Sequence, residues 1–196
     1  MITNMLRATL AFLVLIGVSA CGTGGMVKAD QPVVVRPDEA TVVFMRATMF
    51  GAAISAAVYD VTASDSKFIG IIEHGTKLAY HVPAGEHTFM VASEAADFMK
   101  ATLSPGKTYY ALVTPRMGAW RARFSFRPLR QADLAGAEFS EWDKGTNLVE
   151  NSPKSLAWAA QNAASVQEKR TAYWIKWTEK PIEQQESQTL HAEDGQ

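Results

Sequence analysis

Residues 40–130 are cut into short pieces by glycine, proline, aspartate and serine. The pieces "TVVFMRA", "SAAVYDV", "KFIGIIE", "TKLAYHV", "HTFMVASE", "FMKATLS", "TYYALVTP" and "WRARFSFRP" are each of strand length. They are rich in β-branched and aromatic residues, which fit a pleated, half-buried surface. Helical periodicity is absent, and the gaps are too short for helical crossovers of about a dozen residues. This punctuation predicts a mainly β fold, an antiparallel β-sandwich over residues 40–130.

Two histidines flank one of the turns. In "YHVPAGEH", Pro83 presets φ and Gly85 suits a left-handed position, so His81 and His87 flank a hairpin turn. A three-residue loop places the two rings across from each other, and a two-residue loop separates them. A facing pair could hold a metal or small ligand, but a structural zinc needs four ligands and a catalytic one three. No third ligand stands at a helpful spacing, and Glu86 points to the other face, so no metal or other cofactor is assigned. His74, before Gly75, is expected in another tight turn, where histidine tolerates positive φ. Asp60, Asp65, Glu94 and Asp97 read as acids that cap turns.

The segment "GIIEHGTKLAYHVPAGEHTFMVASE", followed by "LSPGKTYYALVT", resembles a family of envelope lipoproteins with a small β domain of unknown function. It is also similar to PEGA-type surface-layer repeats, which share a strand, a Pro-x-Gly-x-His turn and a strand. Pro105-Gly106 followed by Tyr109-Tyr110 strengthens the likeness, which covers residues 40–115. The resemblance implies a PEGA-like β fold and assigns no catalytic residue, and it makes His87 a part of the fold.

All five tryptophans lie at or after residue 120. Residues 131–150 read as a connecting segment. Residues 151–180 then form an amphipathic helix, with Ser152 or Asn151 as cap, Pro153 in the first turn and Pro181 as the stop. At 100° per residue, Leu156, Ala159, Ala160, Ala163, Val166, Tyr173, Trp174 and Trp177 share a face, and Glu168, Lys169 and Lys176 lie away from it. That face is expected to pack on the β domain, the alternative being a partner-binding helix. Residues 181–196 read as a polar, flexible tail.

The N-terminus carries one positive charge, Arg7, before the uncharged run of residues 8–20. Thirteen residues are too few to span a bilayer, which takes about 20, and they fit the apolar core of a signal peptide over residues 1–20. Val18-Ser19-Ala20-Cys21 resembles the lipobox of bacterial lipoproteins. The resemblance implies cleavage before Cys21, a diacylglyceryl group on its thiol, and acylation of the new amino group by a fatty acid such as palmitate. More than one chain gives firm anchoring. Gly22 rather than Asp after the cysteine implies, by the same resemblance, sorting to the outer membrane, facing the periplasm. As Cys21 is the only cysteine, no intrachain disulfide can form. The glycines, prolines and scattered charges of residues 21–39 read as a tether, with Val33 to Val35 as a weak edge strand.

In "WRARFSFRP", alternation puts Trp120, Ala122, Phe124 and Phe126 on one face and Arg121, Arg123, Ser125 and Arg127 on the other. The apolar face is expected in the core. The row Arg121, Arg123, Arg127 reads either as a solvated edge or as an anion-binding surface, since guanidinium forks hold phosphate and carboxylate. With a net charge of -1, the chain lacks the basic excess of a nucleic-acid binder.

No G-x-S-x-G elbow, H-E-x-x-H motif, Walker loop or nucleotide fingerprint is present. The sequence therefore reads as a membrane-anchored envelope lipoprotein, a non-enzymatic binding or scaffold module. The expected partners are the bilayer and another envelope protein, peptidoglycan or lipopolysaccharide. The alternative is an accessory factor that binds a metal or small ligand through His81 and His87.

Overall fold

The computed structural model describes residues 25–116 and 123–196. The strands are β1 (Val27–Lys28), β2 (Glu39–Arg46), β3 (Ala56–Asp60), β4 (Lys67–Ile72), β5 (Thr76–Pro83) and β6 (Gly85–Ala92). They continue with β7 (Ala96–Leu103), β8 (Thr108–Arg116), β9 (Arg123–Pro128), β10 (Asn147–Glu150) and β11 (Thr189–Leu190). The helices are α1 (Gln131–Leu134), α2 (Ala137–Lys144), α3 (Pro153–Thr178) and α4 (Ile182–Ser187), with a last 3-10 turn at Ala192–Asp194.

The fold is mainly β, in two sheets of order β1-β10-β5-β2-β8-β9 and β11-β7-β6-β3-β4. The expected all-antiparallel arrangement is corrected. Strand β2 runs parallel to β8, β10 to β5 and β11 to β7, so both sheets are mixed. Among the described residues, only β3–β4, β6–β7 and β8–β9 are antiparallel neighbours joined in sequence. The turns at Gly75, Gly85 and Gly106, each glycine at positive φ, carry the chain from one sheet to the other. Parallel partners need a long crossover, and here that crossover runs through the opposite sheet.

The two sheets share one core. Val42 and Phe44 of β2, Ala111 and Val113 of β8, and Phe124 and Phe126 of β9 meet Val58, Phe89, Val91, Met99 and Leu103 of the second sheet. Phe44 joins the layers, with its ring 5.3 Å from Phe89 and 5.5 Å from Phe126. The outer faces are covered as well. Val43, Met45 and Leu112 lie beneath Leu134, Phe139 and Trp142 of the short helices. Ala57, Tyr59, Met90 and Phe98 lie beneath Val166, Tyr173, Trp174 and Trp177 of α3. Strand β2 is thus buried on both faces, which is why it reads as a near-continuous apolar run.

Helix α3 begins as expected, with Ser152 Oγ accepting from the Lys154 and Ser155 amides and Pro153 in the first turn. Its buried face differs from the alanine stripe. Leu156 is 52 % exposed, and Ala160 and Ala163 are exposed too. Ser155, Val166 and Trp177 are the buried positions. Lys169, expected on the far side, donates to the Ser93 carbonyl at 2.6 Å. Arg170 donates to the carbonyls of Val61, Ala63 and Ser64. Long cationic side chains at the edge of the stripe reach loop carbonyls, so part of the docking face is polar.

Three further expectations are corrected. The 131–150 segment is α1, α2 and β10 rather than a plain connection. Residues 181–196 fold rather than trail: Leu190 is fully buried, Arg130 pairs with Asp194 at 2.5 Å, and the Gln196 backbone bonds to Thr108. Within the 21–39 tether, Met26 packs against the main core and β1 pairs with β10. Val33–Val35 form no strand. The signal peptide and Cys21 lie outside the described residues.

Candidate functional site

Strand β5 lies in the first sheet, opposite β2, and β6 in the second, between β3 and β7. The expected hairpin at Pro83–Gly85 is therefore a sheet-to-sheet corner, and His81 and His87 do not face each other across a strand pair. His81 Nδ1 meets Thr41 Oγ1 at 2.9 Å. Burial, helped by Arg36 and opposed by Glu39, holds the His81 imidazole below its ordinary pKa. His87 Nε2 donates to the Pro83 carbonyl at 2.8 Å, and its Nδ1 lies 3.3 Å from Thr62 Oγ1. Glu86 accepts from Thr102 at 2.7 Å. His74 has no positive φ, since Gly75 takes it, and its Nδ1 meets the Thr48 carbonyl at 2.9 Å. Among the described residues no three His, Cys, Asp or Glu gather so as to hold a metal ion.

Asp60 caps its turn, accepting from the Thr62 amide at 3.0 Å and from the Tyr80 hydroxyl at 3.0 Å. Burial, with the Asp60 charge beside it, raises the Tyr80 pKa. Asp97 does more than cap a turn. It is 6 % exposed, and four donors converge on its two oxygens. Lys180 Nζ donates at 2.6 Å, Gln188 Nε2 at 2.7 Å and Ser125 Oγ at 2.5 Å, and the Arg116 guanidinium closes on the same carboxylate. Arg116 also reaches Ser125 Oγ. Burial lowers the Lys180 pKa, the bond to Asp97 opposes this, and the Arg116 charge adds to it.

This knot floors a cleft of about 300 Å³ between the last turns of α3, the start of β7 and the paired ends of β8 and β9. Four cations line it, Arg116, Arg123, Lys176 and Lys180, together with Tyr173, Trp177 and Phe124. Asp97 is the only carboxylate among the described lining residues. Arg116 and Arg123 are direct partners in the β8–β9 register, an arrangement that costs stability when nothing negative lies between. Asp97 neutralises Arg116 and Lys180. Arg123 and Lys176 have no carboxylate partner among the described residues, and Lys176 Nζ sits over the Tyr173 ring at 4.7 Å. Trp177 is 1 % exposed, and its Nε1–H finds no acceptor among the described residues. The site is rich in donors, short of acceptors and walled by aromatic faces. Such a site favours an anion carried on a ring or chain.

The expected arginine row is divided. Arg121, with Trp120 and Ala122, lies outside the described residues. Arg123 enters the cleft. Arg127 pairs with Asp133 at 3.1 Å and lies 5.5 Å from the Trp142 ring. The expected core role of Phe124 and Phe126 holds. Sequence reasoning missed Asp97, Arg116, Lys176, Lys180 and Gln188. The one signal for them was local: arginines at both ends of the β8–β9 connection, and lysines four apart on either side of Trp177.

No protein-family model matches the chain, and the curated proteins provide no match. No helix among the described residues is long and apolar enough to cross a membrane.

Proposed function

We propose that this protein is a lipid-anchored, non-enzymatic binding module of the bacterial envelope, and that its ligand presents an anionic group to the Asp97 cleft. The observation that carries the binding reading is the imbalance, among the described residues, of four cations against one carboxylate, with Arg123 and Lys176 lacking a carboxylate partner there. The anchor rests on the lipobox-like Val18-Ser19-Ala20-Cys21. Gly22 favours the outer membrane, with the domain facing the periplasm, where peptidoglycan and lipopolysaccharide supply carboxylates and phosphates. The PEGA-like turns agree with an envelope setting. The absence of catalytic motifs supports binding rather than turnover.

Two experiments test the halves separately. Radiolabelled palmitate is expected in the wild-type protein and not in Cys21→Ser; label in the variant contradicts the anchor. Co-sedimentation with peptidoglycan and with lipopolysaccharide is expected for the wild type, weakening as salt screens the charges, and to drop in Arg123→Ala/Lys176→Ala. Both residues are exposed and outside the Asp97 pairs, so the fold is expected to survive. Equal binding by the two proteins contradicts the cleft.

A further inference from the structure

A different part of the surface faces the place where the chain would leave for its anchor. The Gly25 carbonyl accepts from Ser152 Oγ, and Gly25 lies against the Lys154 side chain. The chain therefore reaches the domain at the N-terminus of α3. From Cys21 to Gly25 is four Cα steps, about 14 Å at full extension. Trp158 follows Lys154 by four residues, about 6 Å along the helix.

Large apolar side chains are exposed near that end. Leu156 is 52 % and Trp158 37 % exposed. Trp158 shares a groove with Ile54, which is also exposed. Ile54 ends a loop over residues 47–55 whose tip presents Met49 and Phe50 to solvent. The loop is fixed from below. Arg46 is fully buried in β2, and its guanidinium donates to the carbonyls of Gly51 and Ile54. An ordered loop thus holds three large apolar side chains outward.

We infer that this edge, Trp158 with the Met49–Phe50–Ile54 loop, rests on the surface of the bilayer that holds the chain's own lipid. The inference depends on the anchor at Cys21. A four-residue link cannot carry the domain far from the membrane, so some face must meet the interface, and the face beside the link presents Trp158, Met49, Phe50 and Ile54 to solvent. Tryptophan and aliphatic side chains partition to the boundary between headgroup and acyl chain. The anchored domain then has a fixed orientation.

The test uses the full chain, expressed in bacterial membranes and reconstituted into phosphatidylethanolamine and phosphatidylglycerol vesicles that contain doxyl-labelled lipid. Cys21 is the only cysteine and has no free thiol once acylated, so an introduced cysteine takes a polarity-sensitive dye alone. The sites compared are Met49→Cys, 73 % exposed at the loop tip, and Ile182→Cys. Ile182 is 82 % exposed and lies beyond the far end of α3, so neither change disturbs the core. The expected result is blue-shifted emission with doxyl quenching at position 49 and neither at 182. Protein that floats with the vesicles but shows equal signals at the two sites overturns the orientation and leaves the anchor standing. A blue shift at 49 without doxyl quenching also overturns it, since a protein partner or second copy then covers the edge. Protein that fails to float overturns the anchor and the orientation with it.

Discussion

Asp97 holds the two cationic sides of the cleft together, so its loss is felt first as stability. The Asp97→Ala change leaves Lys180, Gln188 and Ser125 without their common acceptor in a buried place. Removing one partner of a buried pair costs about 3–5 kcal/mol. Because Arg116 stays partly in water, we expect about 3 kcal/mol, read by chemical denaturation; a change under about 0.5 kcal/mol, typical of ordinary surface sites, contradicts the network. His81 gives a pH signature. Its folded-state pKa is held down by burial, so the fold favours the neutral ring. That contribution is fully present above the unfolded value of about 6.5 and is lost as pH falls below it. The melting temperature of the wild type is expected to fall more than that of His81→Gln between about pH 7.5 and about pH 5.5. Equal falls contradict a His81 contribution.

At the scale of elements, α3 separates what sequence shows from what it hides. Its ends were legible because capping and proline chemistry are local. Its docking face was only half legible. Trp174 and Trp177 stack 5.3 Å apart, and Phe98 meets Trp174 edge-on at 5.0 Å. Leu156, Ala160 and Ala163 of the same stripe face water. We expect Trp177→Ala to cost about 3–5 kcal/mol and Leu156→Ala to stay within about 0.5 kcal/mol in the same denaturation assay. The reverse order contradicts this docking. Strands were legible from alternation, but their pairing was not. A Pro-x-Gly turn reads the same whether the chain returns beside itself or crosses to another sheet, as it does at Pro83–Gly85. The last residues looked unstructured because their burial rests on one leucine, Leu190, and on distant partners such as Arg130. The cleft was hidden for a similar reason. Its charges come from positions 97, 116, 123, 176 and 180, which only the tertiary fold brings together.

On the whole-molecule scale, the two sheets form the shared core, and α3 runs from the Gly25 contact at its first turn to the Asp97 cleft at its last turns. As proposed, the Asp97 cleft takes an anionic ligand. The most direct measurement of that claim follows the tryptophan indole N–H resonances of the isotopically labelled protein. Inorganic phosphate and a sugar phosphate are titrated in at low and at high salt. Trp177 is expected to shift saturably, and less at high salt, while Trp142 and Trp158 stay in place. No shift at Trp177, or equal shifts at all three, would contradict a binding site in the Asp97 cleft.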